Sequence, residues 1–220
     1  MDVGCADVGW VEQSETQQNL RIVGFRQKTA LPNLQMAGIT DMQYRRAQIE
    51  GGTYFFTVVT FNRRKFLGET ENIELLRLVV EKVKIDHPFT IDAMVVMPDH
   101  IHSVWTLPSG DRDFPMRWNL IKREFSRQCP DWYKAPLTLS RQKKGEQAVW
   151  QRRYWEHQIR DDKDFNQHVD YIHYNPVKHG YVKVPGDWPF SSFHRFVEKG
   201  IYPQEWGSLE VTFDKGVGGE

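Results

Sequence analysis

Cysteine is nearly missing from this 220-residue chain: Cys5 and Cys129 are the two, far apart and in no metal-binding or redox spacing. That excludes a disulfide framework or a cysteine-ligated zinc site and points to a reducing compartment. Long apolar runs are also missing. None approaches the roughly 20 residues of a membrane helix, and the early residues show no basic-then-apolar leader pattern, so a cytoplasmic setting is expected. Net charge is absent too, with 29 Lys plus Arg against 29 Asp plus Glu, so the sum argues neither for nor against a polyanionic partner. Apolar content is not scarce: 40% hydrophobic residues, rich in aromatics, suffice for the core of one ordinary domain.

The distribution of charge says more than its sum. Arg117, Lys122, Arg123, Arg127, Lys134, Arg141, Lys143, Lys144, Arg152 and Arg153 face only Glu124, Asp131 and Glu146 over the same stretch. Such a basic stretch is the footprint expected of a polyanion partner. Taken alone it reads equally well as a solvated helix face followed by a loop.

Residues 1–41 are polar and weakly periodic, and are expected to be a poorly ordered extension, with Met36 and Met42 as alternative starts. Residues 42–206 form the expected domain, and the glycine-rich 207–220 a flexible tail. Within the domain, Gly52–Thr60 reads as a strand and Asn72–Ile85 as a helix ended by His87-Pro88. Phe89–Met97 and His100–Leu107 read as a hairpin turning at Pro98-Asp99. A helix over Pro115–Cys129, a basic loop over Pro130–Gln147, a strand over Val149–Arg160 and a helix over Asp164–Asn175 follow. This order predicts an α+β, ferredoxin-like split βαβ sandwich. Its antiparallel sheet of four or five strands has two helices on one face and the other face left for a ligand or a further helix.

Two patterns carry chemistry. His100 and His102, separated by Ile101 on a strand, point to one face because side chains alternate with period two. The bulkier Ile101, Ser103, Trp105 and Leu107 should pack under the helices, which turns both imidazoles to the other side. Two imidazoles could hold one metal ion, although such pairs are common in strands that bind nothing. Tyr171 and Asn175, four apart, share a helix face. The amide oxygen of Asn175 is a hard third ligand, and two nitrogens with one oxygen leave the open positions a catalytic site requires. The nucleophile candidates beside such a metal are Tyr171 first, then Tyr174, whose position roughly 100° further round the helix suits packing or stacking, and Tyr154. Read alone, a lone tyrosine there is more often a buried aromatic of an amphipathic helix. Pro176 disfavours helical geometry at Asn175 and places it at a frayed helix end.

His100-Ile101-His102 resembles the His-hydrophobic-His motif of single-tyrosine HUH transposases. More of the chain resembles one branch, the REP-associated tyrosine transposases. The segments are Gly51–Val58, Val95–His102 with Trp105–Pro108, Trp150–His157, His168–Gly180 and Asp187–Phe193. The resemblance implies a metal-dependent nuclease using Mg²⁺ or Mn²⁺, with His100 and His102 as ligands and Tyr171 as nucleophile. Related insertion-sequence transposases carry a glutamine four residues after the tyrosine, where Asn175 stands here. The implied substrate is single-stranded DNA beside an imperfect palindromic hairpin. It would be cut through a 5′-phosphotyrosine and rejoined, by a monomer or, as in insertion-sequence relatives, a dimer, acting at the nucleoid. Arg117, Lys122, Arg123, Arg127, Lys143, Lys144, Arg152 and Arg153 would contact DNA phosphates. Tyr44, Arg45 and Arg46 could read the unpaired stretch at the hairpin foot, with Tyr154 and Trp155 stacking on bases. Two other classes stay open: a metal-dependent nuclease in which water attacks, and a non-catalytic nucleic-acid-binding module.

Overall fold

A computed structural model describes residues 49–214 and 216–218. The expected extension over 1–41, and Tyr44, Arg45 and Arg46, lie outside the described residues. The elements run β1 (Thr53–Val59), α1 (Thr70–Asp86), β2 (Thr90–Val96), β3 (His100–Thr106), α2 (Phe114–Gln128), α3 (Leu139–Lys143), β4 (Trp155–Gln158), α4 (Asp162–Lys178) and α5 (Phe193–Glu198). The strands form one antiparallel sheet in the order β2-β3-β1-β4, the ferredoxin-like plan that the element order predicts.

Both faces of this sheet are covered, which is why β1 reads as a nearly continuous apolar run, Tyr54-Phe55-Phe56-Thr57-Val58-Val59, instead of an alternation. On one face Tyr54, Phe56, Val58 and Trp105 pack beneath Leu76 and Val80 of α1 and Trp118, Ile121 and Phe125 of α2. Trp105 stacks on Trp118 with ring centroids 4.2 Å apart. On the other face Phe55, Val95 and Val104 meet Val169 and Ile172 of α4. The further helix the plan allowed for is therefore the tyrosine helix itself, and it buries both His100 and His102.

Two boundaries differ from expectation. The fourth strand is four residues long instead of Val149–Arg160. Upstream of it the chain meets the sheet at an isolated antiparallel bridge between Thr60 and Trp150, where the Gln151 N–H donates to the Val59 carbonyl and the Phe61 N–H to that of Val149. There the Trp150 ring packs on Phe125 and the Lys122 ammonium takes the carbonyls of Gln151 and Arg152. Helix α4 does not end at Asn175 but runs through Pro176 to Lys178. Proline removes one donor, and the helix then closes two residues on in a Schellman motif. Gly180 takes φ +70°, its N–H donates to the Val177 carbonyl, and the Tyr181 N–H donates to that of Pro176. Asn175 is thereby fully buried within the helix, not at a frayed end. The described residues of the tail make contacts of their own. Phe213 packs on Tyr171 and Tyr174, Asp214 accepts from Lys163 and Gln167, and the Gly218 carbonyl accepts from Thr57. A segment expected to be flexible lies on the face that carries the histidines.

Candidate metal and nucleophile site

The site starts from strand register. Thr57 of β1 stands opposite His102 of β3, and its Oγ1 lies 2.9 Å from His102 Nδ1. The same hydroxyl donates its one proton to the Gly218 carbonyl at 3.1 Å. Its lone pair must then accept from Nδ1–H, which leaves Nε2 of His102 as the electron-pair atom. His100 is set in the same way by the residue before it. Its Nδ1 lies 2.7 Å from Asp99 Oδ1, while Asp99 Oδ2 accepts from Arg63 at 3.2 Å. Burial pushes the Asp99 carboxyl up, but the hydrogen bonds and charges of His100 and Arg63 outweigh it and hold it below its ordinary range. Asn62 and Arg63, both left-handed at φ 56° and 50°, lie in the turn that follows β1, from which Arg63 reaches Asp99. Non-glycine residues adopt that conformation at a cost of about 1–2 kcal/mol each.

With Nδ1–H committed to Asp99, Nε2 of His100 faces the Oδ1 of Asn175 at 3.3 Å. The two rings lie 4.7 Å apart at 74°. The buried Nδ2 of Asn175 makes no hydrogen bond among the described residues. Two imidazoles oriented through their other nitrogens, plus one amide oxygen, fit a divalent cation with open positions.

Tyr171 completes the group. Its ring is edge-on to His102 at 5.3 Å and to Phe55 at 6.1 Å, and it is only 3% exposed. Its hydroxyl accepts from Lys178 Nζ at 2.7 Å, and the same ammonium lies 4.6 Å from the ring centroid. Against the other side lies Gly218, where an added Cβ would fall 2.1 Å from Tyr171 Cζ and 2.5 Å from Oη. So His100, His102, Asn175 and Tyr171, brought from β3 and α4, converge.

The basic residues divide. Arg117 is 1% exposed and locked to Asp111 at 2.6 Å and to the carbonyls of His87, Pro88 and Asp113. It anchors the two-helix layer, across the sheet from the histidines, and has no surface to offer a phosphate. Lys122 is spent on backbone carbonyls, and burial, with the Arg141 charge adding, brings its ammonium down to about 8. Arg123 and Arg127 are exposed beside Glu124, and Arg152 is exposed beside Glu146. Lys143, Lys144 and Arg153 are exposed. Trp155 packs on Phe55 and Tyr154 on Phe56.

Four contributors escape a reading by motif: Thr57, Asp99, Lys178 and Gly218. A second cluster also appears, in which ligand-type atoms of His157, Asp164 and His168 lie within 4.8 Å of one another beside a 520 Å³ cleft. Asp164 is its hub, accepting from His157 Nε2 at 2.9 Å and from the Arg160 N–H at 3.0 Å. His168 donates Nδ1–H to the Asp164 carbonyl. These bonds tie β4 to the first turn of α4. Burial pushes the Asp164 carboxyl up, yet its bonds to His157 and Arg160 win and bring it down to about 2.

Comparison with known proteins places the chain in a family. Residues 48–175 match the family model described as "Transposase IS200 like". A REP-associated tyrosine transposase of Escherichia coli K12 is 48% identical over 174 residues, 79% of this chain and 96% of that protein. A relative from Haemophilus influenzae named a putative REP-associated tyrosine transposase is 47% identical over 164 residues, 74% of this chain and 92% of its own. The solved structure of a REP-associated tyrosine transposase bound to a REP hairpin is 45% identical. It superposes with a TM-score of 0.63 and covers 80% of this chain and 99% of its own. Transposases of this family are in general metal-dependent. No helix among the described residues is long and apolar enough to cross a membrane. With its fold and family match in agreement, the chain belongs to the IS200-like transposases, a family of DNA strand-transfer enzymes.

Proposed function

We propose that this protein cleaves and rejoins single-stranded DNA beside REP-type palindromic hairpins, through a 5′-phosphotyrosine on Tyr171. One observation carries the reading: the Tyr171 ring stands against His102 where His100 Nε2 and Asn175 Oδ1 converge. His100, His102 and Asn175 would hold Mg²⁺ or Mn²⁺, which supplies Lewis-acid polarisation of the scissile phosphate when bound. Tyr171 Oη attacks phosphorus as its proton passes to solvent. The P–O3′ bond breaks, and the leaving 3′-oxygen takes a proton from solvent. Attack by another 3′-hydroxyl reverses the step and joins strands, so no external energy source is needed. Exposed Arg123, Arg127, Lys143, Lys144, Arg152 and Arg153 are the cations available for hairpin phosphates. Arg117 and Lys122 are not among them. A monomer working at the nucleoid suffices, since one chain supplies ligands and nucleophile together.

The test is a denaturing gel of the full chain with Mn²⁺ and a labelled single-stranded oligonucleotide containing a REP hairpin and its flanks. A slow-migrating protein–DNA adduct is expected from the wild type and none from Tyr171→Phe. Cleavage that persists in the Phe variant without any adduct establishes the water-attack reading instead.

A further inference from the structure

We infer that Lys178 is a catalytic residue, the cation that meets the non-bridging oxygens of the phosphate under attack by Tyr171. The inference rests on Tyr171 being the nucleophile. It begins from helical spacing. Residues 171, 175 and 178 follow one another at four and three positions, so in α4 they form one stripe aimed at the histidine face. Only a helix that continues past Pro176 brings Lys178 onto this stripe, and the Schellman closure at Gly180 ends the helix immediately after it.

The contact is specific. Lys178 is an exposed residue, yet its ammonium donates to the hydroxyl of buried Tyr171 at 2.7 Å. A phosphorus bonded to that oxygen carries its non-bridging oxygens one bond further out, within hydrogen-bond reach of the same ammonium. An ammonium has three N–H donors, so it can meet a phosphate oxygen without releasing the phenol oxygen. In-line attack adds charge to those oxygens in the pentacoordinate state. A preorganised cation in a largely water-excluded site stabilises that charge more than it stabilises the substrate. Lys178 keeps its protons throughout: Oη–P forms, P–O3′ breaks, and solvent carries the phenol and 3′-hydroxyl protons. Because the same transition state is crossed in both directions, Lys178 serves cleavage and rejoining alike.

Lys178→Met and Lys178→Arg separate this role from packing, since Met keeps an apolar stem over the Tyr171 ring. Single-turnover adduct formation and rejoining are measured in the full chain with Mn²⁺ and the REP-hairpin oligonucleotide, alongside hairpin affinity. In Lys178→Met both rate constants should fall by the same factor, about 10² to 10³ as for loss of one oxyanion donor. The ratio of cleaved to intact DNA at equilibrium and the hairpin affinity should not change, and Lys178→Arg should recover part of the rate. The inference is overturned if Lys178→Met reacts at the wild-type rate, or if only one direction slows so that the equilibrium moves. Failure of the wild type to form any Tyr171 adduct would instead remove the proposed function, whatever Lys178 does.

Discussion

Gly218→Ala should make this enzyme faster. The Gly218 backbone sits against Tyr171, the proposed nucleophile, with φ +96°, where an added Cβ would lie 2.1 Å from Tyr171 Cζ. Neither the ring, held by Phe55, His102 and Phe213, nor the backbone, held through Thr57, has room to yield. The tail must lift, and the hydrogen bond from Thr57, worth about 1 kcal/mol net, goes with it. Left-handed geometry for alanine adds about 1–2 kcal/mol against the closed tail. Together about 2–3 kcal/mol moves toward the open state, which at 1.4 kcal/mol per decade is roughly 30- to 150-fold in population. Single-turnover adduct formation should rise toward that factor and saturate once the open state predominates. Limited proteolysis of residues 207–220 should accelerate in parallel. A Gly218→Ala protein that forms adduct at the wild-type rate, with its tail equally protected, would refute the reasoning.

Other outcomes follow from the same geometry. Asp99→Asn removes the carboxylate that orients His100 and should weaken Mn²⁺ binding about 10- to 100-fold by calorimetric titration. Arg117→Met should lower the melting temperature while leaving unchanged the dependence of hairpin affinity on salt. Lys143→Ala with Lys144→Ala should flatten that dependence by about 0.7–0.9 for each phosphate no longer neutralised. Stability should fall as pH drops below about 6.5, because His168 and His173, their imidazoles pushed down by burial, gain protons only on unfolding. Asp164 extends the loss. Its folded value of about 2 lies below the ordinary carboxylate range, so its stabilisation is present above about pH 4 and disappears as pH falls toward 2. Thermal melts of Asp164→Asn should show a shallower slope across that lower window.

The hairpin and its two faces were legible because β3 alternates and Pro98-Asp99 marks the turn. The face assigned to Ile101 and Trp105 is the one that α1 and α2 cover. The grouping of His100, His102, Asn175 and Tyr171 was legible from spacing and resemblance combined. What was not legible depended on partners distant in sequence. Proline preferences argue for ending α4 at Asn175, yet tertiary packing and a strong C-terminal cap carry it to Lys178, and that early stop hid the lysine. Charge counting cannot tell Arg117, paired with Asp111 in the interior, from Arg127 at the surface. Aromatic richness before β4 suggested a long strand, whereas Trp150 fills the core. Glycines in the tail signal turns, and nothing local reveals that one of them docks on a tyrosine.

The Thr57 hydroxyl serves two clients at once. Its proton goes to the tail and its lone pair to His102, so detaching Gly218 frees the proton that fixed the imidazole's tautomer. With His102 as a metal ligand, as proposed, metal affinity and tail closure become linked quantities, and thermodynamic reciprocity requires each to alter the other by the same factor. A cation titration followed through tail protection, and a tail deletion followed through cation affinity, should return a single coupling constant.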